Sequence, residues 1–299
     1  MNSAYHMPVL LKESVDALNI QSGGVYVDLT FGGGGHSAAI LDKLNRNSRL
    51  YGFDQDPDAI DNIPADERFT IIPWNFRYIK KMLRASGVEK VDGVLADLGV
   101  SSWQLNSAER GFAYRSDAIL DMRMDTRSPV TAASFLQDAS REELQRVFSE
   151  YGELRNARQL SMAIVDQRKL QPITTTGQLV SLAGTVMKGD RYKYLAQVFQ
   201  SIRIAVNDEL GALTQMLIDV ADVLNPGGRL VIISYHSLED KLVKAAFRND
   251  LAGVQEDALM GGKPQLFKVL TRKAILPGNV ELKSNPRSTS ARLRVAEKC

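Results

Sequence analysis

Four short runs rich in β-branched and aromatic residues, Val25–Phe31, Arg49–Asp54, Phe69–Pro73 and Val91–Asp97, recur along the N-terminal third of the chain, each ending in a polar or glycine-rich turn. Segments of helical composition, such as Ser37–Leu44 and Pro57–Ile63, separate them. Antiparallel strands can be joined by a two-residue hairpin, whereas parallel strands need a long crossover, usually a helix. Strands alternating with helices therefore restrict the chain to βαβ units and an α/β fold with a mainly parallel sheet. The right-handedness of the crossovers leaves few topologies.

The pattern stops after about Ser102. From there to about Arg203, helical periodicity replaces strand character. Arg141–Leu154 sets Leu144, Val147, Phe148 and Tyr151 at i, i+3, i+4, i+7 behind Ser140 as N-cap, and Ala157–Lys169 and Thr176–Met187 read as further helices. A long helix, about Lys193–Leu224, ended by Asn225-Pro226-Gly227-Gly228, leads into another apolar run, Arg229–Ser234. This predicts an all-helical, substrate-recognising domain at 106–203, inserted into a discontinuous α/β domain formed by 1–105 and 204–299. Loop closure costs only logarithmically with length, so a folded insertion is tolerable. Leu266–Leu276 and Ala291–Glu297 are expected as an antiparallel pair at the sheet edge.

With 299 residues, 44% hydrophobic and 24% charged, the chain can fill such cores and is neither disordered nor fibrous. No apolar run reaches the roughly 18 residues of a membrane span. The first residues lack the basic region and apolar core of a signal peptide. The one cysteine, Cys299, excludes a disulfide framework and a cysteine zinc site and suits a reducing cytosol. A cytoplasmic protein is expected. His6, His36 and His236 lack metal-ligand spacing, so no essential bound metal is expected. Charge is uneven: Lys263–Cys299 holds nine Lys/Arg against two Glu, so this tail is +7 and the rest of the chain −5. Either it meets a polyanion such as nucleic acid, or it is a solvated basic surface.

The stretch Tyr26-Val-Asp-Leu-Thr-Phe-Gly-Gly-Gly-Gly-His-Ser37 reads as a strand, a turn of four glycines (Gly32 to Gly35) and a helix start. Glycines there permit positive φ and close approach of a ligand, and the helix start offers N–H groups to an anion. Asp54 ends the next run, about 20 residues on, where a carboxylate can accept both hydroxyls of a ribose. Together these point to an adenosine-containing cofactor. The dinucleotide pattern Gly-x-Gly-x-x-Gly fails, because its third glycine falls on Ser37 or Ala38 depending on register. S-adenosylmethionine carries no pyrophosphate and needs no such glycine. Its methionyl end needs a nearby acid or amide, and Asp28 stands just before the turn. Phe76, after the third run, offers a ring to adenine. The fourth run ends in Ala96-Asp97-Leu98-Gly99-Val100-Ser101-Ser102-Trp103-Gln104, a polar cluster where ligands of doubly wound sheets sit.

These motifs, taken with others in order, resemble the RsmH (MraW) methyltransferases of bacterial small-subunit ribosomal RNA. The resemblance includes His6-Met-Pro-Val-Leu-Leu, Asp28 to Ser37, Asp97-Leu-Gly-Val-Ser-Ser102, Glu109-Arg-Gly-Phe112 and Leu120-Asp-Met-Arg-Met-Asp125. It continues through Phe199-Gln200, Arg203-Ile204, Val206-Asn207, Glu209-Leu210, Pro226-Gly-Gly-Arg-Leu230, His236-Ser-Leu-Glu-Asp240 and Asn285-Pro-Arg-Ser288. It implies a class I, Rossmann-like S-adenosylmethionine-dependent methyltransferase fold with an inserted helical domain, acting on N4 of one cytidine in small-subunit (16S) rRNA. The family's cofactor contacts fall on Gly34, Gly35, His36, Asp54, Phe76, Asp97 and Gln104. The chain departs from the family at Leu29, where a small residue is usual, at Trp103, where proline is common, and at Thr289, which interrupts a basic run. The partner expected is this rRNA, within the small subunit or a precursor of it; monomer and homodimer both stay open.

Methyl transfer from a sulfonium is an in-line displacement, so alignment comes first. The N4 lone pair of cytosine is delocalised into the ring. Acceptors on its hydrogens concentrate electron density on nitrogen, and one can take the proton. Asp97, with Ser101 and Ser102 of the following turn, is the candidate catalytic set. The target base must leave its stack to reach it. His236 either meets RNA or the pocket, or plays a structural part, with Ser237 and Glu239 or Asp240 as a helix cap. Leu120–Asp125 is either a docking edge or a connecting strand. Three rival readings compete. The failed glycine pattern opposes an NAD-linked oxidoreductase, Asp54 and Asp97 oppose a catalytically dead RNA-binding module, and only the resemblance opposes methylation of protein or DNA.

Overall fold

The computed structural model describes residues 8–251 and 265–299; His6 and Met7 of the first motif and Lys263 of the basic tail lie outside the described residues. The chain divides into two compact units, one running up to Gly99 and again from Leu210 onward, the other Val100–Glu209.

The first unit is built on a sheet of β1 (Val25–Asp28), β2 (Arg49–Phe53), β3 (Phe69–Ile72), β4 (Val91–Asp97), β5 (Leu224–Ser234), β6 (Phe267–Val269) and β7 (Arg292–Lys298). Strand order is β3-β2-β1-β4-β5-β7-β6. The first five strands pair in parallel, and β7 runs antiparallel to β5 and β6. The order reverses between β1 and β4, the point in a doubly wound sheet where crossovers leave for opposite faces and a crevice opens. Helices cover both faces, which is why the central strands are continuously apolar rather than alternating. Val94, Ala96, Leu230 and Ile232 pack with Leu213, Met216 and Val243 on one face; Leu95, Val231 and Ile233 pack with Val15, Ile40 and Leu293 on the other. The eight strand residues named are fully buried, each contributing about 1.5–3 kcal/mol if large and aliphatic.

Three elements differ from the sequence expectation. Asn225-Pro226-Gly227-Gly228 is no helix-ending loop but the entry to β5: Leu224 pairs with Val91, the register shifts before Gly93, and Asn225 Nδ2 donates to Asp92 Oδ1 at 2.8 Å. Proline is admitted because it falls at the irregularity. The single long helix is two, Arg191–Asn207 and Glu209–Val223, interrupted by Asp208 in the left-handed region at φ 46°. The strand expected over Leu266–Leu276 shrinks to β6, with an isolated bridge from Ile275 to Leu293.

The unit Val100–Glu209 has its own core, with Leu144, Phe148, Leu160, Ile164, Leu179, Val198 and Ile202 at its centre. Ser140 caps Arg141–Glu150, accepting from Glu143 N at 3.0 Å. Thr175 and Gln178 form a capping box on Thr176–Val186. Leu120–Asp125 is neither strand nor exposed edge. Leu120, Met122 and Met124 are buried in this core, Arg123 pairs with Asp121 at 2.7 Å, and Met122 has φ 59°. Its alternating polarity is that of an irregular segment with one face buried. No helix among the described residues is long and apolar enough to cross a membrane.

Candidate active site

Register aligns the acids. Asp28 at the end of β1 is level with Gly52 of β2 and Leu95 of β4, so Thr30, Asp54 and Asp97 each stand two residues further along their strands. A step of two keeps side chains on one side of a strand. Thr30 and Asp97 meet directly: the Asp97 amide donates to Thr30 Oγ1 at 2.7 Å.

The glycine turn crosses this edge. Gly34 adopts φ 76° as N-cap of the helix Gly35–Leu41, a conformation that side chains rarely adopt. Asp54 Oδ2 accepts from Gly32 N at 2.7 Å, its Oδ1 accepts from Asp56 N at 2.8 Å, and Asn62 donates to Gly32 O at 3.0 Å. A side chain on Gly35 would run into Pro8 at 2.3 Å, whereas Gly33 faces open space. Asp28 lies beneath this turn. It has no exposed surface, and its carboxylate accepts from Thr30 N and from Ser37 Oγ at 2.7 Å. These bonds brace the turn from beneath. Burial pushes its pKa up.

Asp97 keeps 23% of its side chain exposed and is surrounded by partners. Tyr235 Oη donates to its Oδ1 at 2.7 Å. His36 Nδ1 lies 3.9 Å from its Oδ2. His36 Nε2 is 3.2 Å from Val9 O; a carbonyl only accepts, so this nitrogen carries the proton. His36 is buried, which places its ring between the N-terminal segment and Asp97. Burial pushes Asp97 up to about 6, against the lowering influence of His36 and the Tyr235 hydrogen bond. Asp54 is also pushed up to about 6 by burial.

Phe76 opens the short helix Phe76–Tyr78 after β3 and is half-buried against the core. Asn75 caps that helix and donates from Nδ2 to Gln55 Oε1 at 2.8 Å, tying the loop after β3 to the residue following Asp54. Ser101, Ser102 and Gln104 belong to the unit Val100–Glu209. There Ser101 and Gln104 form a capping box on the helix Ser102–Asn106: Gln104 N donates to Ser101 Oγ at 3.1 Å, and Ser101 N to Gln104 Oε1 at 3.0 Å. Gln104 is buried; Ser102 is partly exposed.

His236, rather than Ser237, is the N-cap of the helix Ser237–Phe247; its Nδ1 accepts from Glu239 N at 3.4 Å. Glu239 in turn accepts from Tyr235 N at 2.8 Å. Asp240 is no cap but the buried partner of Arg294, at 2.6 Å. Sequence reasoning missed Thr30 and Tyr235. Tyr235 offered one signal, its place just past the apolar run Arg229–Ser234.

The residues present fit an adenosine-containing cofactor. Open space lies over Gly33, a half-buried ring stands at Phe76, and each Asp54 oxygen receives one backbone N–H, leaving acceptor capacity on both.

Comparison with known proteins extends the likeness over the chain. The model of a family described as the MraW methylase family matches residues 3–299. A protein of Phocaeicola vulgatus named ribosomal RNA small subunit methyltransferase H is 49% identical over 296 residues, covering 98% of this chain and 97% of its own. Its namesake in Cytophaga hutchinsonii is 51% identical over 298 residues, covering 98% and 99%.

Proposed function

We propose, from the premise that this chain belongs to the MraW methylase family, that it methylates the N4 amine of a cytidine in small-subunit ribosomal RNA, with S-adenosylmethionine as cofactor. When bound, the cofactor supplies a methyl group activated by its sulfonium. Everything else is the work of the chain's own groups.

The observation that carries the reading is Asp97. It is a partly exposed carboxylate at the sheet's switch point, with one oxygen accepting from a phenol and the other 3.9 Å from the ring of His36. An amine hydrogen donated to Oδ2 would orient N4 and give its proton a destination. Ser101 and Ser102, four and five residues along the chain, are proposed to assist that step, and Gln104 to contact the cofactor. His36, Gly34 and Gly35 are proposed as further cofactor contacts.

The helical unit is proposed to grip the RNA. It carries a cavity of about 680 Å³ lined by Tyr114, Arg115, Val180, Arg191, Tyr192 and Leu195. Guanidinium groups beside aromatic rings suit phosphate and unstacked bases. The small subunit or its precursor is the proposed partner, and the cytoplasm the proposed location.

The test is transfer of label from radiolabelled S-adenosylmethionine to small subunits isolated from cells lacking the enzyme, followed by digestion to nucleosides. Label in N4-methylcytidine is expected. Label in another nucleoside overturns the assigned atom, and absence of cofactor binding overturns the whole reading.

Asp54 gives a separate prediction. An ionised carboxylate accepts from both ribose hydroxyls, whereas an amide offers one acceptor. Charged hydrogen bonds contribute about 1.5–3 kcal/mol each, so Asp54→Asn is expected to weaken cofactor binding on the order of 30-fold by calorimetry. Because burial raises Asp54 to about 6, wild-type affinity should fall as pH drops below about 6 and level off above it. A pH-independent affinity between 5 and 8 would remove Asp54 from the cofactor site.

A further inference from the structure

We propose that Tyr235 is a positioning residue: its hydroxyl takes Oδ1 of Asp97, fixes the plane of the carboxylate and leaves Oδ2 to meet the amine of the substrate. The inference rests on the reading of Asp97 as the group that meets N4.

Three constraints place the ring. β5 pairs Asp97 with Ile233, so Tyr235 follows two residues beyond the level of the acid. Its amide is held by Glu239 Oε2 at 2.8 Å, inside the capping box of the helix Ser237–Phe247. Its ring packs against the core on the sheet face that holds Leu95, Val231 and Ile233. A side chain tethered at backbone, ring and hydroxyl loses little freedom on binding, which makes it a fixed reference for its partner.

The direction of the hydrogen bond is determined. Burial and the Asp97 charge both push the phenol far above its ordinary pKa, so it stays protonated and always donates. A constant donor on Oδ1 stabilises the carboxylate over the acid. The other ionisable groups facing Asp97 are His36 on the helix after the glycine turn, Asp28 beneath the turn, and Glu239 in the capping box; the last two oppose its charge. Tyr235 is therefore one of two groups, with His36, that offset burial and the two neighbouring acids.

The test reads Asp97 itself. Protein labelled with carboxyl-13C aspartate is titrated by NMR without substrate, the Asp97 signal being the one lost in Asp97→Asn. Tyr235→Phe keeps the ring and removes the donor; the Asp97 midpoint should move up by about 0.5–1 on the pH scale. Site-specific 3-fluorotyrosine at 235 makes a more acidic phenol and a stronger donor, so the midpoint should move down. The acid limb of methyl transfer is expected to follow in both directions, with the KM for S-adenosylmethionine changed less than about twofold. An unmoved midpoint, or a shift of the same sign in both proteins, overturns the proposal; a ring that merely packs would not produce opposite shifts. If wild-type protein proves unable to methylate rRNA, the functional reading falls, while the titration still decides whether Tyr235 sets the state of Asp97.

Discussion

Asp97→Asn is expected to lower kcat for methyl transfer by about 10²–10⁴-fold while making the protein more stable at pH 8. Both effects come from one feature, a carboxylate held in a desolvated place with its pKa raised to about 6. In the unfolded chain the same group ionises near its ordinary value. Between about pH 4 and 6 the folded state therefore holds the extra proton, and stability is lost as pH rises through that window. Asparagine has no proton to lose, so the variant's stability should decline less than the wild type's, the remaining decline coming from Asp54 and Asp28. Across the whole of that window the linked proton corresponds to about 3 kcal/mol. Solvent reaching a side chain 23% exposed, and the weakened bond from Tyr235, reduce the expected gain to about 1 kcal/mol. Urea unfolding at pH 5 and pH 8 checks it. A variant less stable than wild type at pH 8, or one that retains full turnover, would mean that Asp97 is an ordinary structural acid. Stability given up at a reacting group is the usual relation between activity and fold.

Gly111→Ala is expected to melt the helical unit. Gly111 ends the turn Ala108–Arg110 at φ 70°, and a methyl there would stand 2.3 Å from Ile119 O and 2.8 Å from Asp121 N. Both obstacles are backbone, and both belong to the segment whose Leu120 and Met122 fill the core of that unit. Relieving the clash would pull these side chains from their places. The cost is about 3–5 kcal/mol, which for a unit of this size lowers its midpoint on the order of 15 °C. Differential scanning calorimetry should show early loss of one transition, and limited proteolysis should cut first within 100–209. An unchanged melting profile would show that the segment can move without penalty.

The central strands were legible because burial on both faces leaves continuous apolar runs at Val91–Asp97 and Arg229–Ser234, and because only crossovers of helical length can join them. Their alternation with helices was enough to determine a mainly parallel sheet with ligand-bearing strand ends. The positions of Asp54 and Asp97 at those ends follow from the same pattern. Sequence could not show that Asp28 turns into the core, since an acid beside a glycine turn reads alike whether it faces ligand or Ser37. Nor could it show the break at Asp208, because aspartate is tolerated in a helix as well as in the left-handed region. Asn225–Gly228 looked like a loop because local composition favours one; the long-range pairing of Leu224 with Val91 and of Arg229 with Gly93 on either side carries it into β5. Tyr235 and Asp97 lie 138 residues apart. Local periodicity specifies which elements form and which faces are apolar, so the class of fold was in the sequence. The hydrogen bond from Tyr235 to Asp97 was decided only when β4 and β5 came into register, because register is set by the packing of the whole sheet.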